Sequence, residues 1–305
     1  MRWTLGGVRV RDPHTPMDPR EIMFAETSLH TGGATSVRVR WLGTAGFELT
    51  AGSHTILFDP YLTRAPLARC LMGRLQPDEA LLREHLPRAD AIVLGHTHFD
   101  HALDAPSIAK RTGARVFGSR SAAHLCAAAG VPAAQVEVVE REPGASPCVR
   151  EVGPFELTFY PSAHSPLVLG RVPFEGEIAD CDVVPQHASD YKCGAVFAVL
   201  VRVGGKRVFH VGSAELLPGM PKIEVDLALV CVAGWTTTKA FPERLVLKLS
   251  PHAALLSHWD NFLRPLAKGA QPLPAMQTGR LVDRLSAASR DVRIGTLPFF
   301  GTLEL

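Results

Sequence analysis

Ala91-Ile92-Val93-Leu94-Gly95-His96-Thr97-His98-Phe99-Asp100-His101 decides how this chain is read. The first four residues form a short apolar run, the pattern of a strand buried on both faces. Glycine ends the run, and three imidazoles and one carboxylate follow between His96 and His101. If the backbone stays extended just past the strand, His96 and His98 point the same way, because alternate residues share a face. A turn then brings Asp100 and His101 towards a second point nearby. Neutral imidazoles and a carboxylate suit zinc, iron or manganese, and three protein ligands with an open position for water make a hydrolytic arrangement. A polar loop whose histidines merely form hydrogen bonds accounts for one such side chain more readily than for a cluster.

The pattern on either side predicts the architecture. Val37-Arg38-Val39-Arg40-Trp41-Leu42, Phe47-Glu48-Leu49-Thr50 and Thr55-Ile56-Leu57-Phe58 are short runs joined by Gly and Ser, a meander signal. Helices are expected over 77–86, 105–111, 120–129 and 239–249. Strands are expected over 114–118, 136–140, 155–160, 226–232, 253–256 and 298–304, with a hairpin turning at Gly204-Gly205 inside 195–211. Strands then helices, twice over, fit a four-layer α/β sandwich with two central sheets and helices outside. Residues 1–35 read as an irregular N-terminal arm and 36–305 as a single domain. The aperiodic stretch 165–191 is long enough to be a lid.

The motif order resembles that of the metallo-β-lactamase superfamily. His96, His98, Asp100 and His101 match its HxHxDH motif. Leu57-Phe58-Asp59-Pro60-Tyr61 is similar to its early strand ending in an acidic residue, Ser162-Ala163-His164-Ser165 to its isolated histidine, and Leu255-Leu256-Ser257-His258 to its last one. The resemblance covers roughly residues 37–260. With Trp41-Leu42-Gly43-Thr44-Ala45-Gly46, it leans towards the branch of ascorbate-phosphate lactonases and N-acylphosphatidylethanolamine phospholipases. It implies the αββα sandwich of that superfamily, with His96, His98 and His164 on one metal and Asp100, His101 and His258 on another. It also implies that Asp59 orients a ligand histidine from behind.

One position departs from the family pattern. The Gly-Asp pair that normally supplies a metal-bridging aspartate reads Gly212-Ser213 here. A hydroxyl cannot supply that fixed negative charge, so the second metal is expected to bind more weakly, unless Glu215 or Asp260 replaces it. Cys181 and Cys193, with His187 between them, lack the close ligand pair of a second zinc site.

Composition narrows the function. Thirty-two basic residues against 30 acidic ones, a net charge of +2, argue against electrostatic binding of nucleic acid or an anionic membrane. No apolar run approaches a membrane span, the N-terminus lacks the apolar run of a secretory signal, and six dispersed cysteines suit reduced thiols. A cytoplasmic protein is expected, acting on a small molecule. The resemblance implies a hydrolase in which a metal-bound hydroxide, oriented by Asp100, attacks an ester, lactone or phosphodiester of a small, partly apolar substrate. One or two zinc ions are the expected cofactor, with manganese or iron as alternatives. The rival readings are a non-catalytic protein that retains its metal and an iron-dependent redox enzyme on the same scaffold.

Overall fold

The computed structural model describes residues 2–3, 9–10, 17–25, 28–29, 36–142, 144–167, 170–180 and 182–305. Two seven-stranded sheets dominate it. The first runs Thr302–Glu304, Val37–Gly43, Gly46–Ala51, His54–Phe58, Ala91–Val93, Arg115–Gly118, Val136–Val138 in spatial order. The second runs Cys148–Val152, Phe155–Ser162, Val196–Val203, Lys206–Val211, Leu227–Cys231, Ala253–Ser257, Arg293–Gly295. Each has three antiparallel pairings followed by three parallel ones. The meander signals give the antiparallel parts, because short Gly-containing connections suffice there, whereas parallel neighbours need the longer helical crossovers.

Side-chain alternation makes the layers. Ile56 and Phe58 enter a core shared by both sheets, where Phe117 of the first sheet meets Phe159 of the second with ring centroids 6.1 Å apart. Leu57 faces the opposite way, into a second core with Leu82, Ile108 and Leu125 from the helices outside the first sheet. Phe241–Leu249 and Thr278–Ala288 contribute Leu245, Leu249, Leu281 and Leu285 to the core of the second sheet. The expected αββα sandwich is therefore the observed fold.

Several elements differ from the sequence reading. Leu67–Met72 and Thr278–Ala288 are helices and Cys148–Val152 and Arg293–Gly295 strands that the pattern did not disclose. Leu67–Met72 buries no side chain, and Cys148–Val152 is an edge strand in which only Cys148 and Val152 are buried, so neither carries strong periodicity. The final strand is only Thr302–Glu304. Within the expected arm, Arg2–Trp3 pairs with Arg9–Val10, Pro19–Ile22 is a 3-10 turn, and Met23 and Ser28 bridge to Thr296 and Glu304. Cys181 lies outside the described residues. No helix among the described residues is long and apolar enough to cross a membrane.

The helix Ala105–Thr112 follows the histidine motif, and Asp104 at its start anchors a neighbouring loop. The fully buried Asp104 carboxylate accepts the backbone N–H groups of Leu62 (2.6 Å) and Thr63 (2.9 Å) and the Thr63 hydroxyl (2.5 Å). Burial outweighs those donors and pushes its carboxyl up to about 6. The folded protein thus holds this proton more tightly than the unfolded chain. The stability this provides is complete below about pH 4 and is lost as pH rises through 6, on the order of 3 kcal/mol in all. Asp104→Asn is expected to remove that component of the pH dependence. Denaturant unfolding of both proteins at pH 5 and pH 7.5 checks it: the destabilisation on raising the pH is smaller in the variant.

Candidate metal centre

The site lies at the C-terminal ends of strands from both sheets. Asp59 follows His54–Phe58, the histidine motif follows Ala91–Val93, His164 follows Phe155–Ser162, Gly212-Ser213 follows Lys206–Val211 and His258 follows Ala253–Ser257. The motif is extended through His98, then winds into the short helix Phe99–Ala102, which separates the His96/His98 pair from Asp100 and His101. Two sets of three donor atoms result, each set within 4.8 Å: His96, His98 and His164 in one, Asp100, His101 and His258 in the other. The sets adjoin, with the rings of His96 and His101 3.8 Å apart.

Hydrogen bonds select which nitrogens stay free. His98 donates from Nε2 to the Pro173 carbonyl (2.7 Å), leaving Nδ1 with its lone pair. His164 donates from Nδ1 to the Ser165 carbonyl (2.7 Å), leaving Nε2. His258 Nε2 lies 3.2 Å from Asp100 Oδ2. His96 is 1% exposed and neither ring nitrogen has a hydrogen-bond partner among the described residues. An unsatisfied buried polar atom costs about 1–3 kcal/mol, and a cation among converging lone pairs removes that cost. These residues fit a metal pair.

Electrostatics prepares the donors. Burial, reinforced by the neighbouring imidazoles, pushes His96 well below its ordinary value and His164 down to about 3, and burial also lowers His98. These rings are neutral at physiological pH, the form that binds metal. Burial also opposes the charge on His101, but the Asp59 carboxylate, with Oδ2 3.0 Å from Nδ1, outweighs it and raises His101. For Asp100 burial acts upward, yet His258, His101 and His98 together hold the carboxyl well below the usual carboxylate range.

Asp59 stands directly behind His101. It is fully buried with φ 41°, and its Oδ1 accepts the Gly95 N–H at 2.7 Å. A Cβ on Gly95 would lie 3.0 Å from Asp59 Oδ2, and one on Gly212 only 2.6 Å from it. The carboxylate therefore fits between two glycines, one from each sheet. His210 lies beneath, donating Nε2–H to the Ala45 carbonyl (3.1 Å).

Neither expected substitute carboxylate reaches the centre. Asp260 is fully buried and turned away: Oδ1 accepts the Thr44 N–H (3.1 Å) and Oδ2 pairs with Arg64. That ion pair fixes the backbone at His258, which has φ 58° and donates its N–H to the Thr44 carbonyl at 2.8 Å. Glu215 pairs with Arg244 (2.7 Å) and accepts the Leu216 N–H (2.7 Å). Two residues along the chain from Ser213 or His258 is simply the wrong direction in space. Ser213 does border the cleft, with its Oγ accepting the Ser165 N–H at 3.1 Å and so holding the His164 loop. Sequence reading also missed Arg64 and the packing of Gly212 against Asp59, which arise only from tertiary neighbours.

A cavity of about 150 Å³ opens over the donors. Leu167, Pro173 and Phe174 of the aperiodic stretch form part of its wall, and Phe174 and Gly176 are tied down by Cys193 N–H to Phe174 O (2.9 Å) and Gly194 N–H to Gly176 O (2.9 Å).

Fold and site together define a metallohydrolase-type centre, and comparison with known proteins places the chain. Residues 54–259 match the family described as the beta-lactamase superfamily domain. A UPF0173 metal-dependent hydrolase of Myxococcus xanthus is 30% identical over 249 residues, spanning 80% of this chain and 76% of that protein. One from Thermococcus onnurineus is 27% identical over 232 residues, spanning 74% and 86%. Among solved structures, Igni18, a metallo hydrolase of Ignicoccus hospitalis, aligns with TM-score 0.57 at 17% identity, over 89% of this chain and 99% of that one. CmlA, a diiron β-hydroxylase of Streptomyces venezuelae, shares the fold with TM-score 0.52 at 15% identity, over 90% and 54%. The chain belongs to the metallo-β-lactamase superfamily and is a metal-dependent hydrolase of it.

The packing around Asp59 predicts the effect of Gly212→Ala. The added methyl displaces the carboxylate from His101, and loss of such a partner typically lowers metal affinity 10–100-fold. Zinc titration of the metal-free variant is expected to show that loss at one of two sites, with the other changed less.

Proposed function

We propose that His96, His98 and His164 hold one divalent cation and Asp100, His101 and His258 a second, zinc in both cases. The enzyme then hydrolyses an ester, lactone or phosphodiester bond of a small, partly apolar substrate. The observation that carries this reading is the convergence of two complete three-donor sets on one buried cleft. Bound there, such cations supply Lewis acidity and lower the pKa of water from 15.7 to about 7. The chain's own residues do the rest. Asp100, kept ionised by the imidazoles around it, orients the attacking water as well as holding metal, and is the catalytic residue. Asp59 keeps the His101 ring turned towards the centre. Phe174 and Phe262 help wall the cleft and limit access of bulk water. The unpaired thiols of Cys70, Cys126, Cys148, Cys193 and Cys231 support a reducing, cytoplasmic location.

His96→Ala combined with His98→Ala removes two donors from the first set. Elemental analysis is expected to show about one metal fewer per chain and assays no hydrolysis, with the circular dichroism spectrum retained. Unchanged metal content overturns the assignment. Two irons with oxygen consumption and no hydrolysis in the native protein overturn the reading in favour of redox chemistry.

Ser213→Asp tests the missing bridging charge. A carboxylate between two dications in a partly desolvated cleft strengthens the second site. Calorimetric zinc titration is expected to show a weaker second site in the native protein and at least a tenfold gain there in the variant. Two equally tight native sites refute the argument.

A further inference from the structure

The walls of the cleft discriminate between the substrate classes left open above. We infer that the site takes a neutral carboxylic ester or lactone with a small apolar acyl group, held between Phe174 and Phe262, in preference to a phosphodiester. This rests on the hydrolase reading and goes beyond it in naming the bond and the grip.

Away from the donor atoms, the cleft is lined by Leu167, Pro173, Phe174, Ala233, Phe262 and Met276. No Lys or Arg lines it among the described residues. The Ser213 Oγ, which accepts the Ser165 N–H, leaves a single neutral O–H on this side of the cleft. A carboxylic ester brings a single, neutral carbonyl oxygen to the donor side. A phosphodiester brings two non-bridging oxygens that share a negative charge. An oxygen that the cations do not take and that faces the apolar wall meets no cationic side chain among the described residues, and burying an unpaired anionic oxygen is costly. Phosphate sites ordinarily add Arg, Lys or a cluster of backbone N–H groups to any bound cations.

The two aromatic rings are placed to grip. Phe174 stands edge-on to His98 with centroids 6.3 Å apart, and Phe262 edge-on to His258 at 5.2 Å, so each donor set has a phenyl ring beside it. Phe174 is 39% exposed and has φ 45°, a backbone conformation that bulky residues rarely adopt. The exposure leaves apolar area at the mouth that a bound molecule can cover. A cavity of about 150 Å³, the space for the cations included, is no larger than accommodates a benzene ring, so it takes at most a short acyl chain and leaves the alcohol portion outside. In the reaction the acyl C–O bond breaks with its electron pair on the alcohol oxygen. The water oxygen forms the new bond to carbon. One of its protons goes to the alcohol and the other to solvent, leaving the carboxylate.

The zinc-loaded enzyme is assayed with p-nitrophenyl acetate, butyrate, hexanoate and octanoate and with bis(p-nitrophenyl) phosphate. Expected is a rise in kcat/KM of about fourfold per methylene, corresponding to about 0.8 kcal/mol each, which levels off once the acyl group reaches about benzene size. Phe174→Ala and Phe262→Ala, each with native metal content, are expected to flatten that dependence and to lower kcat/KM for the best ester about tenfold. Three outcomes overturn the inference while leaving the hydrolase reading intact: a higher kcat/KM for the phosphodiester than for every ester, no dependence on chain length, or an unaltered dependence in both variants. No turnover of any substrate with two zinc ions bound overturns the hydrolase reading and this inference together.

Discussion

The buried carboxylate of Asp59 is the constraint on which the site depends. It is reached from one sheet by the Gly95 N–H, is flanked from the other by Gly212, and faces His101 at 3.0 Å. A carboxylate buried there needs such partners, because a polar group taken out of water without them is costly. The strand end of each sheet is thus fixed relative to a single group. Both glycines follow from this: the space a Cβ needs is already filled by Asp59 oxygen.

Strain accumulates in the same region and is held by packing. Thr44, Asp59, Arg64 and His258 all have positive φ and all are buried. Each such residue costs on the order of 1 kcal/mol or more, and persists only where its surroundings over-determine it. Here the surroundings are a closed circuit. Asp260 pairs with Arg64 and accepts the Thr44 N–H, Thr44 accepts the His258 N–H, and Trp41 stacks on Trp259 with centroids 5.1 Å apart. Arg64 also lies 4.5 Å over the Phe299 ring. Asp260 thereby acts on the metal centre without touching it, by setting the direction in which His258 leaves its strand.

That circuit explains which parts of the site were legible in the sequence. The donors between His96 and His101 are close in the chain, so strand alternation followed by a helical turn predicts their division into two directions. His164 and His258 were legible only through motif order, since nothing local marks a strand-end histidine as a donor. Glu215 and Asp260 stood as conditional replacements because they are near Ser213 and His258 along the chain, whereas their partners in space, Arg244 and Arg64, lie far away in sequence. The alternating strands and the crossover helices of the first half were readable for the same reason as the motif, their periodicity being local. Leu67–Met72, which buries no side chain, and the edge strand Cys148–Val152 have no such signal.

The last link joins the cleft wall to the metal donors. His98 can offer Nδ1 only while its Nε2–H has an acceptor, and that acceptor is the carbonyl of Pro173, adjacent in the chain to Phe174. The Phe174 carbonyl in turn accepts the Cys193 N–H, whose own carbonyl accepts the Thr97 N–H at 2.9 Å, between His96 and His98. A displacement of the segment that carries Phe174 therefore withdraws the acceptor that fixes the His98 tautomer. Substrate wall and first donor set are held by one hydrogen-bonded circuit, just as His258 is held by the Asp260 circuit on the other side. With Pro173 and Phe174 in their observed places, both sides of the cleft hold their donors in a fixed direction before substrate arrives, which is the preorganisation that metal-assisted hydrolysis requires.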